Sequence, residues 1–288
     1  MNKNRNVLIL GATGMAGHTI ALYFIEQGYN VSTYSKQSFP YCENNIIGDA
    51  LETDKFKAML LHKKFDLVIN CIALLIQDSD RHPSKAVYIN SYLPHLIADT
   101  YKNTCTKVIH MSTDSVFAGN NGPYTEKSLQ NGHTFYDRTK ILGELDDCKN
   151  LTFRNSIIGP DMNENGIGLF NWFMKQNGHV NGYIKTIWSG VTTLTLAKAM
   201  EQAYNENLTG VFHLSNNDSI SKFELLNLFN KYFRNKKLII TPSEQLQLDR
   251  LLVCTRSDDF SFKVPSYEQM IIEMKSWVDA HKEVYPFY

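Results

Sequence analysis

The sequence predicts an α/β protein, a doubly wound parallel sheet followed by a smaller C-terminal lobe. Three observations predict it. Short apolar runs alternate with helix-period segments through residues 1–155. The first run, Val7-Leu8-Ile9-Leu10, is followed at once by glycines spaced G-x-x-G-x-x-G. After Arg154 the alternation gives way to aromatic and polar stretches, and only 210–215 reads as another strand of the main sheet. Right-handed crossovers between parallel strands then leave little choice of topology.

Bulk properties exclude several classes. With 288 residues the chain has ample length for a core. Lys plus Arg equals Asp plus Glu, 29 each, so no global field recruits nucleic acid or an anionic membrane. The chain opens without a signal-peptide pattern, and no apolar run approaches the roughly 18 residues of a membrane span. The expected location is cytoplasmic. Five scattered cysteines without a C-x-x-C pair suit reduced thiols, and the nine histidines show no ligand spacing. No metal is expected.

Taken in order, Val7–Leu10 reads as a strand buried on both faces. Gly11 permits the tight turn, Gly14 lets the backbone approach a pyrophosphate, and Gly17 lets the next helix pack close to the strand. Thr13 and Met15 complete this turn, and the pyrophosphate would meet free N–H groups at the helix N-terminus. Ile20, Ala21, Phe24 and Ile25 carry the helix, which Gly28 closes. A second strand over 29–34 ends at Ser35-Lys36. Neither Asp nor Glu lies between Val31 and Cys42, so Ser35 and Lys36 occupy the slot that meets the cofactor's 2′ position. A cation there suits the 2′-phosphate of NADPH, with NADH as the lesser donor.

A third strand over 46–50 ends in Asp49-Ala50, and a helix covers 55–63. The fourth strand spans 65–73 and the following helix 85–103, kinked by Pro94. The fifth, over 107–111, runs into Ser112-Thr113-Asp114-Ser115. A helix over 136–148 and a sixth strand from 151 complete the Rossmann-type domain, 1–155. Residues 156–288 form mainly the second lobe, with helices over 192–205, 221–234 and 267–282.

Tyr136 and Lys140 stand at i and i+4, stacked on one helix face. Reducing a ketone requires a hydride from a cofactor and a proton for the developing alkoxide. A phenol can supply that proton, and an ammonium four residues on would favour its phenolate. Thr113 can donate to the carbonyl oxygen, and Lys140 can hold the nicotinamide ribose. A second Tyr-x-x-x-Lys, Tyr232 to Lys236, lacks a glycine turn and a Ser/Thr partner and is read as chance.

With these motifs in place, the chain resembles an extended short-chain dehydrogenase/reductase, most like the dTDP-4-dehydrorhamnose reductase group. The resemblance runs through the glycine turn, Ile47-Gly48-Asp49, Asn70-Cys71-Ile72-Ala73, Asn90, residues 112–119, Tyr136 to Lys140, Gly143-Glu144 and Arg154. It implies that Asp49 and Ala50 read the adenine, and that Cys71, Ile72 and Ala73 run along the cofactor. It makes Thr113, Tyr136 and Lys140 the catalytic set and turns Thr113, Asp114 and Tyr136 toward substrate. Dehydratases of this fold carry Thr-Asp-Glu where this chain has Ser115 third, so simple reduction fits better. Ile157 and residues 187–193 depart from the group's pocket signature.

Trp188 could stack a base or sugar, as could Trp172 and Phe170, and Arg250 and Arg256 could meet a diphosphate. The implied activity is NADPH-dependent reduction of a nucleotide-linked 4-keto-6-deoxyhexose in deoxysugar and polysaccharide synthesis. An N-acetylated UDP sugar is the first choice of substrate, and a homodimer is compatible with the pattern. The alternatives are a sugar-nucleotide epimerase of the same fold, or a nucleotide-binding regulatory subunit like that of methionine adenosyltransferase.

Overall fold

The computed structural model describes residues 5–288. The first half runs β1 (Asn6–Leu10), α1 (Met15–Glu26), β2 (Asn30–Ser35), β3 (Asn44–Ile47), α2 (Thr53–His62) and β4 (Leu67–Asn70), with no helix between β2 and β3. It continues with α3 (Ile76–Arg81), α4 (Pro83–Ala86), α5 (Leu93–Thr100), β5 (Lys107–Met111), α6 (Phe135–Leu142) and β6 (Leu151–Arg154). Beyond Arg154 come β7 (Ile157–Ile158), α7 (Gly168–Met174), β8 (His179–Tyr183), β9 (Thr186–Trp188), β10 (Val191–Thr192), α8 (Thr193–Asn205) and β11 (Gly210–His213). The chain closes with β12 (Ile220–Ser221), α9 (Lys222–Phe233), β13 (Ile239–Ser243), β14 (Leu248–Asp249) and α10 (Tyr267–Ala280).

Seven strands form one parallel sheet in the order β3-β2-β1-β4-β5-β6-β11, as the doubly wound prediction requires. Chain order reverses between β1 and β4, which opens a crevice at the carboxyl ends of the strands. The apolar runs follow from burial on both faces. Val7, Ile9, Leu67 and Ile69 enter one core, while Leu8, Leu10 and Val68 enter the other. β11, which covers Gly210–His213 of the stretch 210–215, pairs in parallel with β6 at the edge of the main sheet. The remaining short strands form small sheets: β7 with β10, β8 with β13, and β9 between β12 and β14.

Several boundaries differ from those the sequence predicts: the fourth strand, expected over 65–73, spans only Leu67–Asn70, and three further differences have a packing reason. β3 ends at Ile47 because the chain turns under the Tyr34 ring at Gly48, where a Cβ would stand 2.6 Å from the phenol oxygen. The helix over 85–103 is broken into α4, a π-helical turn Val87–Tyr92 and α5. Pro94 lacks an N–H, and the wider turn places it in the first turn of α5, where none is needed. The helix over 136–148 stops at Leu142, because a Cβ on Gly143 would overlap the Asn90 carbonyl. The C-terminal chain then folds back over α1. Tyr285 bonds His18 Nε2 at 2.8 Å and accepts the Trp277 indole N–H at 3.2 Å. Among the described residues no helix is long and apolar enough to cross a membrane.

Candidate active site

The glycine turn fits a dinucleotide. Gly11 has φ +83°, and a Cβ there would crowd Cys71 and Ile72 at 3.2 Å. A Cβ on Gly17 would stand 2.1 Å from the Gly11 carbonyl oxygen, so α1 touches the turn backbone. Gly14 differs: its Cβ would meet nothing closer than 3.4 Å, which leaves its outer face clear. α1 has no side-chain cap and no acid in its first turn. The N–H groups of Met15, Ala16 and Gly17 thus remain for an anion. Thr13 and Met15 flank the turn, half-buried, and Met15 packs toward Gly168.

At the carboxyl edge of β2 the Ser35 hydroxyl donates to the Gln37 carbonyl at 2.8 Å. Lys36 reaches solvent, but its ammonium pairs with Asp49 at 2.9 Å. No acid lies near Lys36 in sequence, yet β3 delivers one in space. Asp49 also accepts the Leu51 N–H at 3.0 Å, and these bonds hold its carboxyl below the usual range despite some burial. Ala50 is buried beside it. Cys71, Ile72 and Ala73 follow β4 directly, with the Cys71 N–H on the Leu10 carbonyl at 3.0 Å. Asn90 in the π turn clamps this loop: its side chain bonds both polar groups of the Leu74 backbone and the Thr139 hydroxyl.

Tyr136 is placed by a capping box in which Thr134 and Asp137 satisfy each other's backbone N–H. Thr113, two residues past the end of β5, caps the 3-10 turn Asp114–Val116, accepting the Ser115 N–H at 3.1 Å. Burial pushes the Tyr136 phenol up to about 12, with the Asp114 and Asp137 charges adding to the rise. The Thr113 hydroxyl and the Arg250 charge oppose it. Lys140 does not contribute. The ammonium expected to ease the phenol's ionisation is turned inward, on the Met111 carbonyl at 2.6 Å and near His110 Nε2 at 3.3 Å. Burial lowers Lys140 itself to about 8, against the opposing pull of Glu144 and Cys71. Ser112, Gln130 and Arg154 all bond Glu144, and the Arg154–Glu144 pair is buried at 2.7 Å.

Residues after β11 supply further groups. Tyr124 and Leu252 bridge in parallel, and this lays residues 248–253 beside the loop after β5. Arg250 thereby donates to Ser115 Oγ at 2.8 Å and faces Asp114. Asp114 is half-buried, and desolvation raises its carboxyl in spite of Arg250 and Lys222. Lys222 opens α9, its ammonium 5.2 Å above the Trp188 ring. Trp188 itself is core, packed on Tyr267.

Arg256 stands elsewhere. It donates to the Thr209 and Val211 carbonyls at the amino end of β11 and pairs with Asp259, so the sheet separates it from Thr113. Phe170 is buried among Phe229, Phe233 and Tyr288, while Trp172 is half-exposed. Sequence reasoning assigned no role to His110 or Lys222. A histidine inside an otherwise apolar parallel strand was the available signal for the first. Lys222 has none, because only the fold brings α9 to Asp114.

Fold and site together define an extended short-chain dehydrogenase/reductase. The chain belongs to the RmlD substrate binding domain family, whose model it matches over residues 5–285. It is 25% identical over 238 residues to methionine adenosyltransferase 2 subunit beta of Xenopus laevis, covering 77% of this chain and 70% of that protein. To dTDP-4-dehydrorhamnose reductase of Escherichia coli it is 29% identical over 157 residues, 52% of this chain and 50% of the relative. The crystal structure of dTDP-4-dehydrorhamnose reductase from Bacillus anthracis in complex with NADP superposes with a TM-score of 0.79. It covers 94% of this chain and 98% of its own at 20% identity.

Proposed function

We propose that this protein is an NADPH-dependent reductase of a nucleotide-linked 4-keto-6-deoxyhexose. The carrying observation is the juxtaposition of Thr113, Tyr136 and Lys140 with a glycine turn shaped for a dinucleotide. The cofactor would supply the hydride. Gly11, Gly14, Gly17 and the start of α1 would hold its pyrophosphate, Asp49 and Ala50 its adenine, Lys36 a 2′-phosphate, and Lys140 its nicotinamide ribose. Thr113 would donate to the ketone oxygen and Tyr136 would deliver the proton as the alkoxide forms. Tyr136, protonated across the neutral range, is in the state of a proton donor. Ser115, bonded to Arg250, stands where a dehydratase needs a carboxylate, which favours plain reduction. Arg250 and Asp114 belong to the substrate side.

The test is NADPH consumption with nucleotide-linked 4-keto-6-deoxy sugars, with products identified by mass and NMR. Tyr136→Phe keeps the ring but removes the acid, so kcat should fall by about two orders of magnitude or more while NADPH affinity holds. Undiminished turnover in that variant would remove Tyr136 from the mechanism. The similarity to methionine adenosyltransferase 2 subunit beta supports a second reading, a regulatory nucleotide-binding subunit. Co-purification with a catalytic partner and no turnover on any sugar nucleotide would put it first.

A further inference from the structure

The resting hydrogen bonds of Lys140 constrain its charge. Asn70 ends β4, and its side-chain oxygen accepts the Ile72 N–H at 3.1 Å. That bond orients the amide, because a flipped Asn70 would set its NH2 against another N–H. Its Nδ2 therefore donates to His110 Nδ1, 3.1 Å away. A neutral imidazole that accepts at Nδ1 carries its proton on Nε2. This Nε2–H points at Lys140 Nζ, 3.3 Å away. An ammonium has no lone pair to receive it; an amine has one and still keeps a donor for the Met111 carbonyl at 2.6 Å.

All three side chains are buried, so bulk water does not substitute for these partners. The other groups facing the line do not reverse it. Cys71, at the end of β4, is pushed up to about 12 by burial and stays a thiol. Glu144, after α6, is committed to Arg154, Ser112 and Gln130. Tyr136 lies one turn earlier on α6, and His95 on α5 acts on His110 only through its charge, which would further disfavour an imidazolium.

We propose that Asn70 and His110 are positioning residues that hold Lys140 as a neutral amine in the cofactor-free protein, so that Lys140 gains a proton when it turns to a cofactor ribose. The first half concerns the free protein alone; the second rests on the proposed function. The competing arrangement, ammonium with Nδ1–H imidazole, requires Asn70 to flip and abandon the Ile72 N–H.

The decisive experiment is long-range 1H–15N NMR on histidine-labelled protein without cofactor. At about pH 8.5, above the value of about 8 to which burial lowers Lys140, His110 should show the Nε2–H tautomer. The Nδ1–H tautomer would overturn the proposal. Asn70→Asp supplies a carboxylate that accepts from Nδ1–H, so the tautomer should switch and Nε2 should accept from a fixed ammonium. The Lys140 titration, followed by lysine 13Cε shifts with Lys140→Arg for assignment, should then move up by about one pH unit or more. An unchanged tautomer in a folded Asn70→Asp protein would also overturn it. Calorimetric NADPH titration in buffers of different ionisation enthalpy at about pH 8.5 should show proton uptake. Binding without uptake would contradict the second half, whereas absence of NADPH binding would refute the proposed function and leave the tautomer result standing.

Discussion

At Lys36 and Asp49 the sequence and the structure part in an informative way. The absence of an acid between Val31 and Cys42 was legible, and so was the cation at the 2′ slot. What was not legible is that the turn after β3 returns a carboxylate to within 2.9 Å of that cation. A charge-assisted bond to phosphate is worth about 1.5–3 kcal/mol, but here Lys36 must leave Asp49 to make it. Lys36→Ala should therefore lower kcat/KM for NADPH only about tenfold, near the lower end of that range, and leave NADH almost untouched. Equal loss with both cofactors would show that Lys36 does not read the phosphate. Two glycines of the turn were legible for a steric reason, Gly11 and Gly17, while at Gly14 the space stays open. Gly17→Ala would force a methyl into the Gly11 carbonyl, so both folding stability and dinucleotide binding should fall together, measured by thermal unfolding and NADPH fluorescence titration. An intact Tm with intact binding would mean that α1 does not touch the turn as described.

At the scale of elements, the apolar runs named all six leading strands, but their ends depended on what they met. Pro94 announced a break in its helix, though not its form, since a π turn depends on the Asn90 side chain reaching Leu74 and Thr139. The early stop of α6 was invisible because Gly143 must clear a carbonyl more than fifty residues upstream. The same turn carries Glu144 inward to Arg154 on β6, with Ser112 from the end of β5 and Gln130 as further donors. This buried cluster fixes α6, and hence Tyr136, against the sheet. Glu144→Ala leaves an unpaired buried guanidinium and should cost about 3–5 kcal/mol in denaturant unfolding. Glu144→Gln, which keeps some of the hydrogen bonds, should cost less. A loss below about 1 kcal/mol for the alanine variant would contradict the bridging role.

At the scale of the whole molecule, long-range packing buries histidines as neutral rings. His18, between α1 and the C-terminal segment, is lowered to about 4 by burial, as is His213 on β11, and His110 is lowered well below its ordinary value. Their folded pKa values lie below the unfolded one, so between about pH 6.5 and 4 the unfolded chain binds more protons. Stability should accordingly fall as pH drops through that window, by about 3 kcal/mol from His18 alone once the window is crossed. Removing the ring in His18→Asn should flatten the decline. A Tm independent of pH from about 7 to 5 would refute it.

The same long-range packing brings residues 248–253 and α9 to Thr113 and Asp114, and no local pattern foretold it. On the proposed function, these C-terminal segments would bind the nucleotide and use that remote binding to align a ketone with Tyr136. It is tested most directly by the rate of NADPH oxidation with a nucleotide-linked 4-keto-6-deoxyhexose beside the same keto sugar without its nucleotide. kcat/KM should be at least about a hundredfold higher for the conjugate; equal rates for the two would show that the nucleotide does not align the ketone.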